Sequence, residues 1–180
     1  MVDLRGCKFD SIALWHAMDA QRVERGLTWN GVTRELREVE VGLAARLGKR
    51  NHPIAASTMA KLETGAEPGC HFALGYLRWI DATPERFLTT GDPLGLAEPL
   101  PRVDSLHRLR WDVPRLAAVM VARREAEGLT WKSLAELLGV YPGPLSSLPR
   151  LRYGTSMTMA MKLTQWLGHS AASFTYAAEW

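Results

Sequence analysis

The chain has 180 residues, of which 47% are hydrophobic and 23% charged, and its formal net charge is +3. This length suits one ordinary domain or two small ones, and the apolar content excludes wholesale disorder and fibrous repeats. No run approaches the ~18 apolar residues of a membrane helix, and the polar N-terminus predicts no signal peptide. The only cysteines are Cys7 and Cys70, which excludes a disulfide scaffold and favours the reducing cytoplasm.

The charge is distributed unevenly along the chain. Residues 1–104 hold 13 Lys and Arg against 14 Asp and Glu, whereas residues 105–180 hold 9 against 5. A basic second half is compatible with a nucleic-acid partner, but many basic proteins bind nothing anionic. The charge balance therefore leaves the class of partner open.

A repeated tetrapeptide divides the chain into two related halves. Gly-Leu-Thr-Trp occurs at 26–29 and again at 128–131, and each copy follows an Arg-rich amphipathic segment. Between the copies, residues 91–101 hold three prolines and two glycines, which cannot sustain a helix and indicate a stiff linker. We expect an N-terminal domain over 1–91, a linker over 92–104 and a divergent second domain over 105–180.

The first half is predicted to consist of five helices. Ser11 is expected to cap the first, which ends near Gly26, and Thr28 the second. The third opens at Pro53 and closes at Gly65, the fourth spans 70–80, and Thr83 with Pro84 opens a short fifth. Apolar residues at helical spacing are expected to face inward. They are Ile12, Trp15, Met18, Val23, Val32, Leu36, Val39, Leu43, Leu47, Met59, Leu62, Phe72, Tyr76, Leu77, Ile80, Phe87 and Leu88.

The second half is predicted to follow the same order. Asp112 and Thr130 cap its first two helices, and Gly139 ends the second. A turn over 142–144 is expected before a short third helix over 147–153, and the fourth and fifth helices are placed at 157–167 and 170–178. Period-two alternation is absent apart from short accidents, so we predict no strands and an all-α fold. The inward residues are expected to be Leu116, Val119, Met120, Leu134, Leu137, Leu138, Met161 and Trp166.

Two segments carry a family resemblance. Residues 56–65, Ala-Ser-Thr-Met-Ala-Lys-Leu-Glu-Thr-Gly, resemble the recognition helix of the lambda-repressor/Cro-like helix-turn-helix proteins, also called the XRE family. Residues 134–140, Leu-Ala-Glu-Leu-Leu-Gly-Val, look like that family's second helix, and residues 124–130 like its first helix and turn. The resemblance covers roughly 11–90 and 112–178. It implies two tandem helix-turn-helix bundles with the third helix in the major groove.

The chain departs from the family pattern in both halves. Extra sequence over 41–52 separates the second and third helices of the first half. The second half has about three extra turn residues and carries Pro149 inside its expected recognition helix. Because proline is tolerated only in the first helical turn, that helix must be short or begin late.

Candidate DNA contacts follow from these placements. With Met59 and Leu62 facing inward, the small and polar residues of the same helix face outward, and the resemblance implies that Ser57, Thr58 and Lys61 contact DNA. The helix beginning at Thr28 can meet a phosphate through its first amides. Basic residues of the extra segment and of the second half can neutralise phosphates. The full set of candidates is Thr28, Trp29, Arg46, Lys49, Arg50, His52, Ala56, Ser57, Thr58, Lys61, Arg150 and Arg152.

Other chemistries are not supported by the sequence. The five histidines lack metal-ligand spacing, and the tryptophans are expected to pack in the core rather than stack on bases. Cys70 is expected to be a buried small hydrophobe. Residues 48–50, Gly-Lys-Arg, fail the phosphate-loop pattern, and neither a nucleophile elbow nor a dinucleotide fingerprint is present. We therefore predict no enzyme, no cofactor and no metal.

The sequence favours a cytoplasmic, nucleoid-associated transcriptional regulator that binds double-stranded DNA. Such domains usually bind as two-fold dimers, so either the chain homodimerises or its halves form an intramolecular pseudo-dimer. Pro149 slightly favours a first half that reads bases and a second half that dimerises or contacts phosphates. No segment is left over for a small-molecule ligand, and no membrane partner is expected. The alternative is a protein-interaction module, antitoxin-like or adaptor, on the same scaffold.

Overall fold

The computed structural model describes residues 3–36, 56–92, 94–104, 107–150 and 154–179. The first half contains helices α1 (Ser11–Glu24), α2 (29–36), α3 (Ala56–Glu63) and α4 (Cys70–Trp79), then a 3-10 turn, Pro84–Phe87. The second contains β1 (His107–Trp111), α5 (Val113–Ala126), α6 (Trp131–Leu138), α7 (Pro142–Ser147), α8 (Met157–Leu167) and β2 (Thr175–Glu179). Further 3-10 turns lie at Leu148–Arg150 and Ala172–Phe174. The fold is thus mostly helical, with one small sheet among the described residues.

Local sequence signals account for most helix ends in the second half. The side chains of Asp112, Thr130 and Ser156 each accept a backbone N–H from the first turn of α5, α6 and α8. Gly139 and Gly168 end α6 and α8 in the left-handed conformation, at φ 62° and 71°. The predicted caps at Asp112 and Thr130 and the stop at Gly139 are confirmed, and α8 spans the predicted 157–167.

The start of α1 corrects two expectations. Asp10, not Ser11, is the N-cap, because its carboxylate accepts the N–H of Ala13 while Ser11 lies inside the helix and is buried. The buried face is therefore shifted in phase from the predicted one. Met18 is buried as expected, but Ile12 and Val23 are exposed.

In α4, Tyr76 and Leu77 are buried as predicted, whereas Phe72 is exposed. Phe72 precedes Tyr76 by four residues, but it lies in the first turn of α4 beside Gly69. Among the described residues, the tryptophans pack on or within the core, as expected.

The prediction of no strands is wrong, because two strands add a small sheet to the largely helical fold. β1 and β2 pair antiparallel, with His107 opposite Glu179 and Trp111 opposite Thr175. The helix expected over 170–178 is wrong, since that segment forms a 3-10 turn followed by β2. Leu109 and Trp111 alternate with half-buried arginines, so the period-two pattern of β1 is short but real. Its partner is far away in sequence, which local patterning cannot identify.

Equivalent contacts recur in the two halves at matching positions. The N–H groups of the caps Asp10 and Asp112 donate to the carbonyl oxygens of Phe87 and Phe174, each at 2.7 Å. Arg22 donates to the carbonyl of Leu27 and lies over the ring of Trp29, and Arg124 does the same with Leu129 and Trp131. These pairs show that the repeated sequence folds into the same local structure twice.

The two halves share one hydrophobic core. β1 of the second half packs against α4 of the first, and α4 also contacts α8. No helix in the described ranges is long and apolar enough to cross a membrane.

Candidate nucleic-acid interface

Helix α3 presents one buried and one open face. Met59 and Leu62 are buried, as predicted, and α3 packs against α1. On the opposite side Ser57, Ala60 and Lys61 are exposed. Two apolar anchors three residues apart fix the rotation of the helix, so the exposed residues form one continuous strip. A strip with a hydroxyl, a methyl and an ammonium group can meet the edges of bases in a major groove.

Two other candidates also belong to α3. Thr58 is partly buried, and Ala56 is the first described residue of the helix. Five of the candidates from the two halves lie outside the described residues. They are Arg46, Lys49, Arg50, His52 and Arg152.

The start of α2 has the predicted cap. The hydroxyl of Thr28 accepts the N–H of Gly31 at 3.1 Å, which leaves the earlier amides of the first turn for another acceptor. The ring of Trp29 stacks on that of Trp15, with 5.8 Å between the ring centroids. The guanidinium of Arg22 lies 5.2 Å from the centroid of the Trp29 ring. Trp29 therefore contributes its ring to packing, while its backbone begins the helix.

The second half places a helix, a three-residue connection and a second helix in series. α6 ends at Leu138, Gly139 adopts φ 62°, and α7 begins at Pro142. The structure thus corrects the predicted start of the third helix at Ser147 and the turn expected over 142–144. Pro142 occupies the first helical position, where its fixed φ favours a helix start and no N–H is required. The connection consequently has no extra residues.

The anchoring of α7 resembles that of α3. Leu145 and Leu148 are buried three residues apart, as Met59 and Leu62 are in α3. Pro149 lies in the 3-10 turn that follows, so it does not interrupt α7, and Arg150 at the end of this turn is exposed.

Sequence reasoning missed Tyr141, the N-cap residue of α7. Its side chain is 83% exposed, unusually high for a tyrosine, and it is followed by exposed Pro142, Gly143 and Pro144. Assigning the segment 142–144 to a turn concealed this surface. Recognising Pro142 as a helix start would have placed Tyr141 at the exposed tip of the second helix.

Strand β1 carries Arg108 and Arg110 and packs against α4. Burial, together with the charges of Arg110 and Arg108, lowers the pKa of His71 to about 4. His71 is consequently neutral at physiological pH, and its Nδ1 accepts the backbone N–H of Trp111 at 3.3 Å. Burial raises the pKa of the neighbouring Cys70 thiol to about 11, which keeps it protonated and fits the predicted role of a small buried hydrophobe.

A buried lysine, Lys162, supports the connection between α6 and α7. Its Nζ donates to the carbonyl oxygens of Leu138 at 2.6 Å, Arg5 at 3.1 Å and Gly139 at 3.4 Å. Burial lowers the pKa of this lysine. The ammonium group compensates the carbonyl end of the α6 dipole and ties the N-terminal segment to it. Nothing in its helical spacing distinguished Lys162 from a surface lysine.

No family model matches the chain, and neither the curated proteins nor the solved structures compared with it contain a match. Within the described ranges, no group of three or more His, Cys, Asp or Glu side chains is arranged to hold a metal ion.

Proposed function

We propose that this protein is a sequence-specific DNA-binding transcriptional regulator. It is built from two tandem helix-turn-helix units of the lambda-repressor/Cro type, with α3 inserted into the major groove. The observation that carries the proposal is α3 itself: Met59 and Leu62 anchor it from within, and a polar strip faces outward. The series α6, Gly139 and α7 supports it, because a tight turn between two short helices is the layout of such units.

Each exposed residue of α3 has a role suited to base recognition. Lys61 can donate to a guanine edge or to a phosphate, and Ser57 can donate or accept a hydrogen bond. Ala60 permits close approach of the helix and can contact a thymine methyl group. Together these residues would supply the specific part of the binding energy.

Phosphate contacts would position α3 without reading sequence. The capped N-termini of α2 and α6, at Thr28 and Thr130, offer backbone amides with a favourable dipole, and Arg150 offers an exposed guanidinium. The basic residues of the segment 41–52 would add charge neutralisation. Such contacts would also hold the protein on the nucleoid.

Selection of bound fragments from a random duplex library tests this function. We expect one enriched motif, and Lys61→Ala should weaken binding to it by about 1–3 kcal/mol if Lys61 contacts a base edge. Arg150→Ala is the comparison, since loss of a phosphate contact should cost less and act alike on all sequences. Failure to enrich any sequence would reject the function.

A second function, a protein-interaction module, is favoured by the surface of α7. Its exposed residues Tyr141, Pro142 and Pro144 carry no charge, and exposed aromatic and apolar groups are typical of protein contacts. Salt separates the two functions, because phosphate-driven binding weakens steeply as salt rises and apolar docking does not.

A further inference from the structure

We propose that a single chain binds one DNA duplex as an intramolecular pseudo-dimer, with its two halves on two unlike half-sites at a fixed separation. This inference rests on the proposed function and names the form of the target. It requires that the halves be related as the subunits of a two-fold dimer are, that their orientation be fixed, and that their reading surfaces differ.

The contacts between the halves are reciprocal. The N–H of Phe9 in the first half donates to Thr158 Oγ1 in the second at 3.0 Å. The N–H of Trp111 in the second half donates to His71 Nδ1 in the first at 3.3 Å. Phe9 and Trp111 each precede an N-cap aspartate, whereas His71 and Thr158 are each the second residue of α4 and α8. In each half, the residue before the N-cap aspartate therefore donates to the second residue of the equivalent helix in the other half. Such a reciprocal pair of contacts is typical of an isologous interface.

One backbone pair lies where a two-fold axis must pass. Gly69 and Ser156 form an antiparallel bridge across the halves, and they are the N-cap residues of α4 and α8. A residue that pairs with its own equivalent lies beside the symmetry axis. α3 and α7 occupy equivalent places in the element order of the two halves, so a two-fold relation of the halves puts the two candidate reading helices on opposite sides of this axis.

Further contacts fix the halves against each other. Glu85 of the first half is buried, and its Oε1 accepts the N–H of Ala171 at 2.7 Å. Lys162 of α8 holds the carbonyl of Arg5. A Cβ on Gly154 would lie 2.7 Å from the sulfur of Cys70, so the two halves are in close contact at this point. Independent reorientation of the halves would break buried hydrogen bonds, which is costly.

The two reading surfaces are chemically unlike. α3 exposes Ser57 and Lys61, which can hydrogen-bond to bases, whereas α7 exposes Tyr141, Pro142 and Pro144, which offer apolar contact. Two different helices on one rigid frame would recognise two different half-sites. The target should therefore be asymmetric, about one helical turn between half-site centres.

The test uses the full chain and the duplex recovered from a random library. Sedimentation equilibrium should give one protein per duplex, and the enriched motif should lack two-fold symmetry. Inserting about 5 base pairs between the half-sites places them on opposite faces of the helix, and we expect affinity to fall about tenfold or more. An insertion of about 10 base pairs should also weaken binding, because a rigid frame cannot span it.

Variants assign the half-sites. Lys61→Ala should relax base preference in one half of the motif only, and Tyr141→Ala in the other half only. Two chains on a palindromic motif, or affinity unchanged by the 5-base-pair insertion, would overturn the inference while leaving DNA binding intact. Absence of any enriched duplex would instead reject the proposed function on which it rests.

Discussion

Adjacent residues of α3 illustrate how differently single side chains contribute. Leu62 is 2% exposed, whereas Lys61 is exposed, although the two are neighbours in sequence. Their helical phase could be predicted from sequence because the apolar spacing is clear and the helix is short. The cap of α1 could not be predicted in this way, because Asp10 and Ser11 are both favoured cap residues. Only the tertiary contact of Asp10 with Phe87 selects between them.

Leu62→Ala should lower the free energy of unfolding by about 2–5 kcal/mol, because truncation leaves a cavity among buried neighbours. Chemical denaturation measures the change. Lys61→Ala, on the same helix, is the matched control and should lie within about 0.5 kcal/mol of the unaltered protein. Equal stability of the two variants would contradict the assigned buried face of α3.

His71 should make stability fall in acid. In the folded protein its pKa is about 4, below the ordinary 6.5, so the unfolded chain binds the proton first. Stability should therefore decrease as pH falls from about 6.5 towards 4, by about 1–2 kcal/mol once screening by solvent is included, since a protonated Nδ1 cannot accept the N–H of Trp111. Comparing the pH dependence of unfolding with that of His71→Gln isolates this contribution. Identical profiles would exclude it.

Individual helices show where local sequence suffices and where it does not. α5, α6 and α8 carry their own caps and stops, so their positions could be predicted from sequence. α7 could not, because proline and glycine at 142–144 suggest a turn unless the proline is recognised at the first helical position. β1 and β2 were missed for another reason: each is five residues long and is stabilised by a partner more than sixty residues away.

Two glycines that follow helices distinguish the free-energy cost of backbone strain from that of a steric clash. Gly128 and Gly139 both adopt left-handed φ values, 65° and 62°. A Cβ on Gly128 would meet nothing within 4 Å, whereas one on Gly139 would lie 2.7 Å from the Cα of Arg5. Gly128→Ala should therefore cost about 1–2 kcal/mol, the usual left-handed penalty. Gly139→Ala should cost clearly more in the same denaturation assay. Equal costs would show that the N-terminal segment does not pack against the end of α6.

At the scale of the whole molecule, the duplicated sequence folds into two equivalent sets of elements that share a core. The repeat and the change in composition near residue 91 could be predicted from Gly-Leu-Thr-Trp and the prolines. The exchange of contacts between halves could not, because the hydrogen bonds of Phe9 with Thr158 and of Trp111 with His71 join residues far apart in sequence.

The shared core predicts a single cooperative unfolding transition. Tryptophan fluorescence and far-ultraviolet circular dichroism should give the same midpoint, because the buried contacts between halves couple their stabilities. Leu62→Ala in the first half and Leu134→Ala in the second should both shift that one transition, since both side chains are fully or almost fully buried. Two separate transitions, each moved by only one variant, would contradict the coupling.

Titration of the library-selected duplex at two salt concentrations tests most directly whether this protein recognises DNA. We expect affinity for the selected duplex to exceed affinity for a scrambled duplex by about a thousandfold or more. Both affinities should fall steeply, by about tenfold or more, between 50 and 200 mM salt, as phosphate contacts require. Binding that ignores sequence, or that is unchanged by salt, would contradict DNA recognition and favour a protein partner instead.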